Sequence, residues 1–190
     1  YLLTLMLKPQ QLILYKHVRK HMKPTSELYN KSFRILFFDE MWEYEKTISE
    51  LNEKLKTEKN SNAFNNLGVA HFEIGELEKG IENLNLAIEF DKQNSIAYSN
   101  RAELNKKWNK KQDAENDYGK ALELNPKDAT YWRCRAYLRK ENGELEKALS
   151  DFKQAKKIEP KFQPTKNEIA ELEKELGIER KNWIEKLIGK

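Results

Sequence analysis

The sequence predicts an all-α fold, a right-handed α-solenoid of antiparallel helix hairpins, and three observations predict it. Residues recur at an interval of 34: Phe64, Tyr98 and Trp132; Leu84, Tyr118 and Phe152; Ala87, Ala121 and Ala155. Small residues recur with them, as Gly68, Ala102 and Ala136 in one column and Gly80, Ala114 and Ala148 in another. Helix-ending residues recur too, as Gly75, Asn109 and Gly143. A period of this length marks stacked helical hairpins, each burying its apolar face only against its neighbours.

Each element follows from these columns. The two small columns fall where a first helix meets a second, because helices approach closely only where no bulky side chain intervenes. Glycine and asparagine adopt the left-handed conformation that ends a helix, so Gly75, Asn109 and Gly143 separate the two helices of each unit. The second helices run into Asp91, Pro126 and Pro160, and proline cannot continue a helix interior. The units span 61–94, 95–128 and 129–162.

The runs Phe64-Asn-Asn-Leu-Gly68, Tyr98-Ser-Asn-Arg-Ala102 and Trp132-Arg-Cys-Arg-Ala136, taken with the columns, resemble the tetratricopeptide repeat. The resemblance covers about residues 61–162. Arg101 and Arg135 depart from it, standing where Leu67 represents the usual apolar residue. Their stems are expected to pack along the neighbouring helix while the guanidinium reaches water.

Residues 163–190 are read as a polar capping helix followed by a short amphipathic helix. In the latter, Ile178, Trp183, Ile184, Leu187 and Ile188 form an apolar stripe that must be buried. It folds back on the capping helix, pairs with a second copy in a homodimer, or docks on a partner. Toward the N-terminus, Tyr44-Glu-Lys-Thr-Ile-Ser-Glu-Leu-Asn resembles Leu77-Glu-Lys-Gly-Ile-Glu-Asn-Leu-Asn, with Thr47 for Gly80 and Leu51 for Leu84. Residues 25–60 are therefore read as a degenerate helical hairpin, with Leu28–Met41 as the partner helix and Thr25 or Ser26 as its cap.

Charged residues make up 35% of the chain and the mean hydropathy is −0.90, as expected of a helical surface protein. Cys134 is the only cysteine, so no intramolecular disulfide exists, which fits a reducing compartment such as the cytoplasm. The net charge of +4 is uneven: residues 1–24 carry Lys8, Lys16, Arg19, Lys20 and Lys23 and no acid. This segment, read as helical, has two readings. It packs Leu12, Ile13, Tyr15 and Val18 on the first repeat, or residues 1–23 contact a membrane. The apolar run over residues 1–7 is too short to span a bilayer, which takes about 20 apolar residues.

The resemblance implies a concave face lined by the first helix of each unit, where a peptide segment of another protein binds. Its positions here are Asn62, Asn65, Asn66, Val69, Phe72 and Glu73; Ile96, Ser99, Asn100, Glu103 and Lys107; and Thr130, Arg133, Cys134, Tyr137 and Glu141. Asn66 and Asn100 occupy matching places and resemble a short asparagine ladder, since an amide both donates to and accepts from a peptide backbone. Local hydrogen bonding explains them equally well. Of the clamp with which some members of the family grip the acidic C-terminal tail of heat-shock proteins, only Asn100 is present. Asn65 and Thr130 stand for lysine, Val69 for asparagine and Cys134 for arginine, so strong affinity for such a tail is not expected. Arg133 and Lys107 offer positive charge only from neighbouring positions.

Other chemistries have less support. Lys106, Lys107, Lys110 and Lys111 surround Trp108, which favours phosphate, nucleic acid or an acidic peptide, but Glu103, Asp113 and Glu115 lie close by, and a solvated turn with Trp108 wedged between units is the stronger reading. His17 and His21 are four apart without a third ligand nearby, and His71 belongs to a column with Asn105 and Arg139. Cys134 lacks the context of a nucleophile, and there is no glycine-rich phosphate loop. The expectation is a noncatalytic interaction scaffold without cofactor or metal. A structural role within a larger, membrane-attached protein is the alternative.

Overall fold

The computed structural model describes residues 39–178, with side chains from residue 43 onward. The chain divides into two units, Tyr1–Glu45 and Lys46–Lys190. Of the first, only Asp39–Glu45 is described, as the opening turns of a helix. The described residues form eight helices and no strand: α1 (Asp39–Thr57), α2 (Ser61–Glu73), α3 (Leu77–Phe90), α4 (Ser95–Lys107), α5 (Lys111–Leu124), α6 (Ala129–Glu141), α7 (Leu145–Ile158) and α8 (Gln163–Glu175). Within the second unit, α2 packs on α3, α4 on α5 and α6 on α7, and each pair packs on the next.

Helix starts repeat in register. The side chain of Asn60 accepts from the Ala63 amide at 2.9 Å, Asn94 from Ala97 at 3.0 Å and Asp128 from Thr130 at 2.8 Å. Each cap satisfies an amide that has no partner within the helix. Phe162 holds the same position before α8 and supplies no such bond. Helix ends repeat as well: Gly75, Asn109 and Gly143 have φ of 82°, 59° and 79°. The amide beyond each turn bonds back across it, Glu76 to His71, Lys110 to Asn105 and Glu144 to Arg139. Gly177, with φ 67°, extends the series by one more interval.

The small columns mark the closest helix approaches. A Cβ on Gly68 would lie 2.7 Å from Leu84 Cγ and 2.9 Å from the Gly80 carbonyl oxygen. One on Gly80 would lie 2.7 Å from Leu104 Cδ2. The later pairs accommodate alanine: Ala102, Ala114, Ala136 and Ala148 are fully buried. Around them sit Leu84, Tyr118 and Phe152, also fully buried, each contributing about 2 kcal/mol of apolar burial. At the start, Ile48, Leu51 and Leu55 of α1 pack against Phe64, Leu67 and Leu84.

One expectation meets the structure differently, and three others are described only in part. The Arg101 and Arg135 guanidiniums do not simply reach water. Arg101 Nε and Nη2 donate to Asp117 at 2.9 and 2.6 Å, and Arg135 Nε and Nη2 donate to Asp151 at 2.8 and 2.9 Å. Asn105 donates to Asp117 at 3.1 Å, and Arg139 to Asp151 at 2.8 Å. Asp117 and Asp151 are buried, so each charge on the apolar side of the hairpin is met by a bidentate partner, the arrangement a low-dielectric site requires. The hydrogen bond to Asp117 accordingly raises the pKa of Arg101 above its ordinary value, against the opposing effect of burial. Second, α1 runs unbroken from Asp39 through Tyr44–Asn52, so no turn separates Met41 from that stretch. The rest of the segment to residue 38 lies outside the described residues, as do the readings made for residues 1–24, His17 and His21.

Third, Trp108 ends α4 with 37% of its surface exposed and Lys110 Nζ 3.7 Å above its ring. Most of Trp108 is therefore covered, and Lys110 lies over one face of its ring. Fourth, the C-terminal stripe is described only at Ile178, which packs on the cluster of Phe152, Ile169 and Leu172. Trp183, Ile184, Leu187 and Ile188 lie outside the described residues.

Candidate peptide-binding face

The first helices of the three units stand side by side, with polar contacts joining each helix or its N-cap to the next. Asn94 Nδ2 donates to Ser61 Oγ at 2.8 Å, Asn100 Nδ2 to Asn65 Oδ1 at 2.9 Å, and Lys106 Nζ reaches Glu141 at 2.9 Å. The face these helices present is the one on which the sequence places its candidate residues.

At its centre is an amide relay. Asn65, buried, accepts from Asn100 and donates to Asn66 Oδ1 at 3.2 Å. The amides in contact across units are thus Asn100 and Asn65, with Asn66 third in line. Among the described residues, Asn66 Nδ2 and Asn100 Oδ1 make no further hydrogen bond to the chain, leaving a donor and an acceptor at the ends of the relay. Beside it on α4, Ile96 stands one turn before Asn100 and is 55% exposed. Residues four apart share a helix face, so an apolar and a polar contact point lie together.

The other candidates divide by what holds them. Asn62 is exposed and receives a long bond of 3.4 Å from Asn94. Val69, Phe72 and Glu73 are half-buried along α2, and Phe72 packs into the first core cluster. Ser99 is buried. Glu103 accepts from the Tyr118 hydroxyl, and burial together with that carboxylate pushes the Tyr118 pKa far up. Cys134 is half-buried beside them, its thiol pushed up to about 11 first by burial and then by Glu103, so it is a neutral thiol at physiological pH.

Tyr137 meets the Phe152 ring edge-on at 5.0 Å, and its pKa is raised, first by burial and then by Glu168. Lys107 is exposed and makes an interaction of its own. Arg133 is the most constrained. It donates to Glu159 at 2.6 Å and to Thr130 Oγ1 at 3.2 Å, with its guanidinium 4.5 Å from the Phe162 ring.

Sequence reading missed four roles: Asn65 as the link of the relay, Tyr118 as the partner of Glu103, and Glu159 and Phe162 as the holders of Arg133. Phe162 alone carried a signal, an aromatic in the column of capping residues Asn60, Asn94 and Asp128. His71 is buried with Nδ1 2.8 Å from Glu76 Oε2, a local structural pair. Among the described residues, no group of three His, Cys, Asp or Glu side chains is placed to hold a metal, and no helix is long and apolar enough to cross a membrane.

Capped hairpins stacked at a constant interval, with an amide relay between first helices, define the class as a helical-repeat interaction module. The comparisons give the family. The profile described as tetratricopeptide repeat matches residues 61–94 and 96–128, and a second of the same description matches residues 118–150. Tetratricopeptide repeats therefore lie within residues 61–150, and proteins built on this repeat are in general noncatalytic interaction modules. No curated protein matches the chain.

Among solved structures, the crystal structure of MamA is similar at 21% identity, covering 78% of this chain and 86% of that one with a TM-score of 0.65. The first TPR of Spaghetti (RPAP3), solved with the HSP90 peptide SRMEEVD, is 23% identical over 62% of this chain and 94% of its own, with a TM-score of 0.58. The Arabidopsis OM64 TPR domain is 25% identical over 60% and 95%, with a TM-score of 0.57.

Proposed function

We propose that the chain is a noncatalytic scaffold that holds an extended segment of a partner protein on the face formed by α2, α4 and α6. The observation that carries this reading is the Asn66–Asn65–Asn100 relay, whose two ends offer one neutral donor and one neutral acceptor at a junction between units. An extended peptide presents the complementary groups on its backbone whatever its side chains. Asn62, Val69, Glu73, Ser99, Glu103, Lys107, Arg133, Cys134 and Tyr137 belong to the same face as neighbours of the bound segment. Binding on such a face rests on a few anchors more than on total area.

The test is affinity capture from native cell extract with the intact chain and with the Asn66→Ala, Asn100→Ala double variant. Loss of a partner in the variant, with its helical circular dichroism unchanged, is the expected result. Identical partners for both proteins would move the site off this face.

A further inference from the structure

We propose that the segment bound here is apolar and free of acidic side chains, because carboxylates of the chain itself already occupy three of the cations bordering the face. This rests on the peptide-binding reading and names the class of segment.

Three of the bordering cations are committed to carboxylates, and exposed Lys107 makes an interaction of its own. Arg133 lies against Glu159 at 2.6 Å, Lys106 against Glu141 at 2.9 Å, and Lys140 against both Glu168 at 2.8 Å and Glu171 at 3.1 Å. Arg133 is held further by the Phe162 ring and by Thr130, and keeps only 14% of its side chain exposed. An acidic peptide would have to displace a carboxylate at each cation. It would exchange one ion pair for another, while its displaced predecessor stayed tethered nearby as a like charge. The incoming acid gains little and meets repulsion.

What the face still offers is neutral. The relay ends at Asn66 and Asn100 suit uncharged main chain, and Ile96, the most exposed large apolar side chain of the described residues, suits an aliphatic or aromatic side chain one helical turn away. Burying Ile96 under an apolar side chain removes water from both surfaces, while the main chain keeps its hydrogen bonds through the relay.

The experiment is an array of octapeptides with blocked ends, in matched sets that are neutral and apolar or carry Asp and Glu at varied positions. Fluorescence anisotropy on the strongest binders follows, using the intact chain, Asn100→Ala, and a Glu141→Gln, Glu159→Gln double variant altered only at exposed carboxylates. Neutral apolar peptides are expected to bind the intact chain at least about tenfold more tightly than their acidic counterparts. In the double variant the gap should narrow several-fold at low salt and reopen at high salt. Equal or tighter binding of acidic peptides to the intact chain, or a gap that ignores the double variant, overturns the inference and leaves peptide binding standing. If no peptide binds, or if Asn100→Ala binds as the intact chain does, the peptide-binding reading itself fails, and the inference with it.

Discussion

The first hairpin, α2–α3, and the two that follow it share a backbone plan and solve its interior differently. In the first, Gly68 and Gly80 let the helices close on each other, and Leu67 fills the place that arginine takes later. In the second and third, alanine sets the helices and buried clasps of Arg101 with Asp117 and Arg135 with Asp151 fill that place. The repeat therefore fixes where a side chain meets its neighbour and leaves open whether contact is apolar or ionic. The two chemistries fail in different ways. Apolar closure is broken by volume, whereas a buried clasp is broken by removing one partner and stranding the other.

The largest effect follows from stranding charge. Asp151→Ala leaves Arg135 and Arg139 without their shared acceptor, and should cost about 3–5 kcal/mol in urea unfolding followed by circular dichroism. A loss below 1 kcal/mol would show that water replaces the carboxylate. Next comes volume. Gly68→Ala forces a Cβ to within 2.9 Å of the Gly80 carbonyl oxygen, a backbone atom with little room to yield, for an expected loss of about 1–3 kcal/mol.

Transplanting the first hairpin's solution into the second, as Arg101→Leu with Asp117→Asn, reproduces Leu67 and Asn83 and retains an acceptor for Asn105. Stability should stay within about 1 kcal/mol, because a buried ion pair and an apolar replacement are often equivalent, while either single change costs more. If the double variant is no better than the sum of its parts, the two hairpins are not interchangeable solutions.

The smallest effect is a titration. Cys134 is raised in the folded chain from 9.0 to about 11, so between those values the folded protein holds a proton that the unfolded chain releases. Its contribution to stability is intact below pH 9 and is lost as pH rises toward 11. Native-state alkylation by iodoacetamide should track the higher value, with about a hundredfold less thiolate at pH 8 than in urea. Equal rates in both states would remove the burial argument for this thiol.

Much of this organisation was legible in the sequence because a solenoid repeats its contacts. The interval placed Gly75, Asn109 and Gly143 in left-handed turns and brought Gly68 to Gly80 without reference to any long-range pairing. The clasps were legible in principle, since Arg101 with Arg135 and Asp117 with Asp151 keep the same interval. An apolar-centred reading assigns such columns to the surface, and only the face on which the second helix sits shows that they meet. The relay was hidden for a geometric reason. Aligned columns suggest contacts at the repeat interval, whereas Asn65 and Asn100 are 35 apart and Ser61 and Asn94 are 33 apart, because neighbouring helices are offset by a residue either way. Glu159, reaching Arg133 from the loop between α7 and α8, left no signal at all.

The most direct test of the account is nuclear magnetic resonance of the isotopically labelled chain, titrated with the strongest neutral peptide from the array. The side-chain amides of Asn65, Asn66 and Asn100 and the methyls of Ile96 should shift together and saturate with one dissociation constant. Shifts confined to α3, α5 and α7, with those amides unmoved, would contradict binding on the first-helix face.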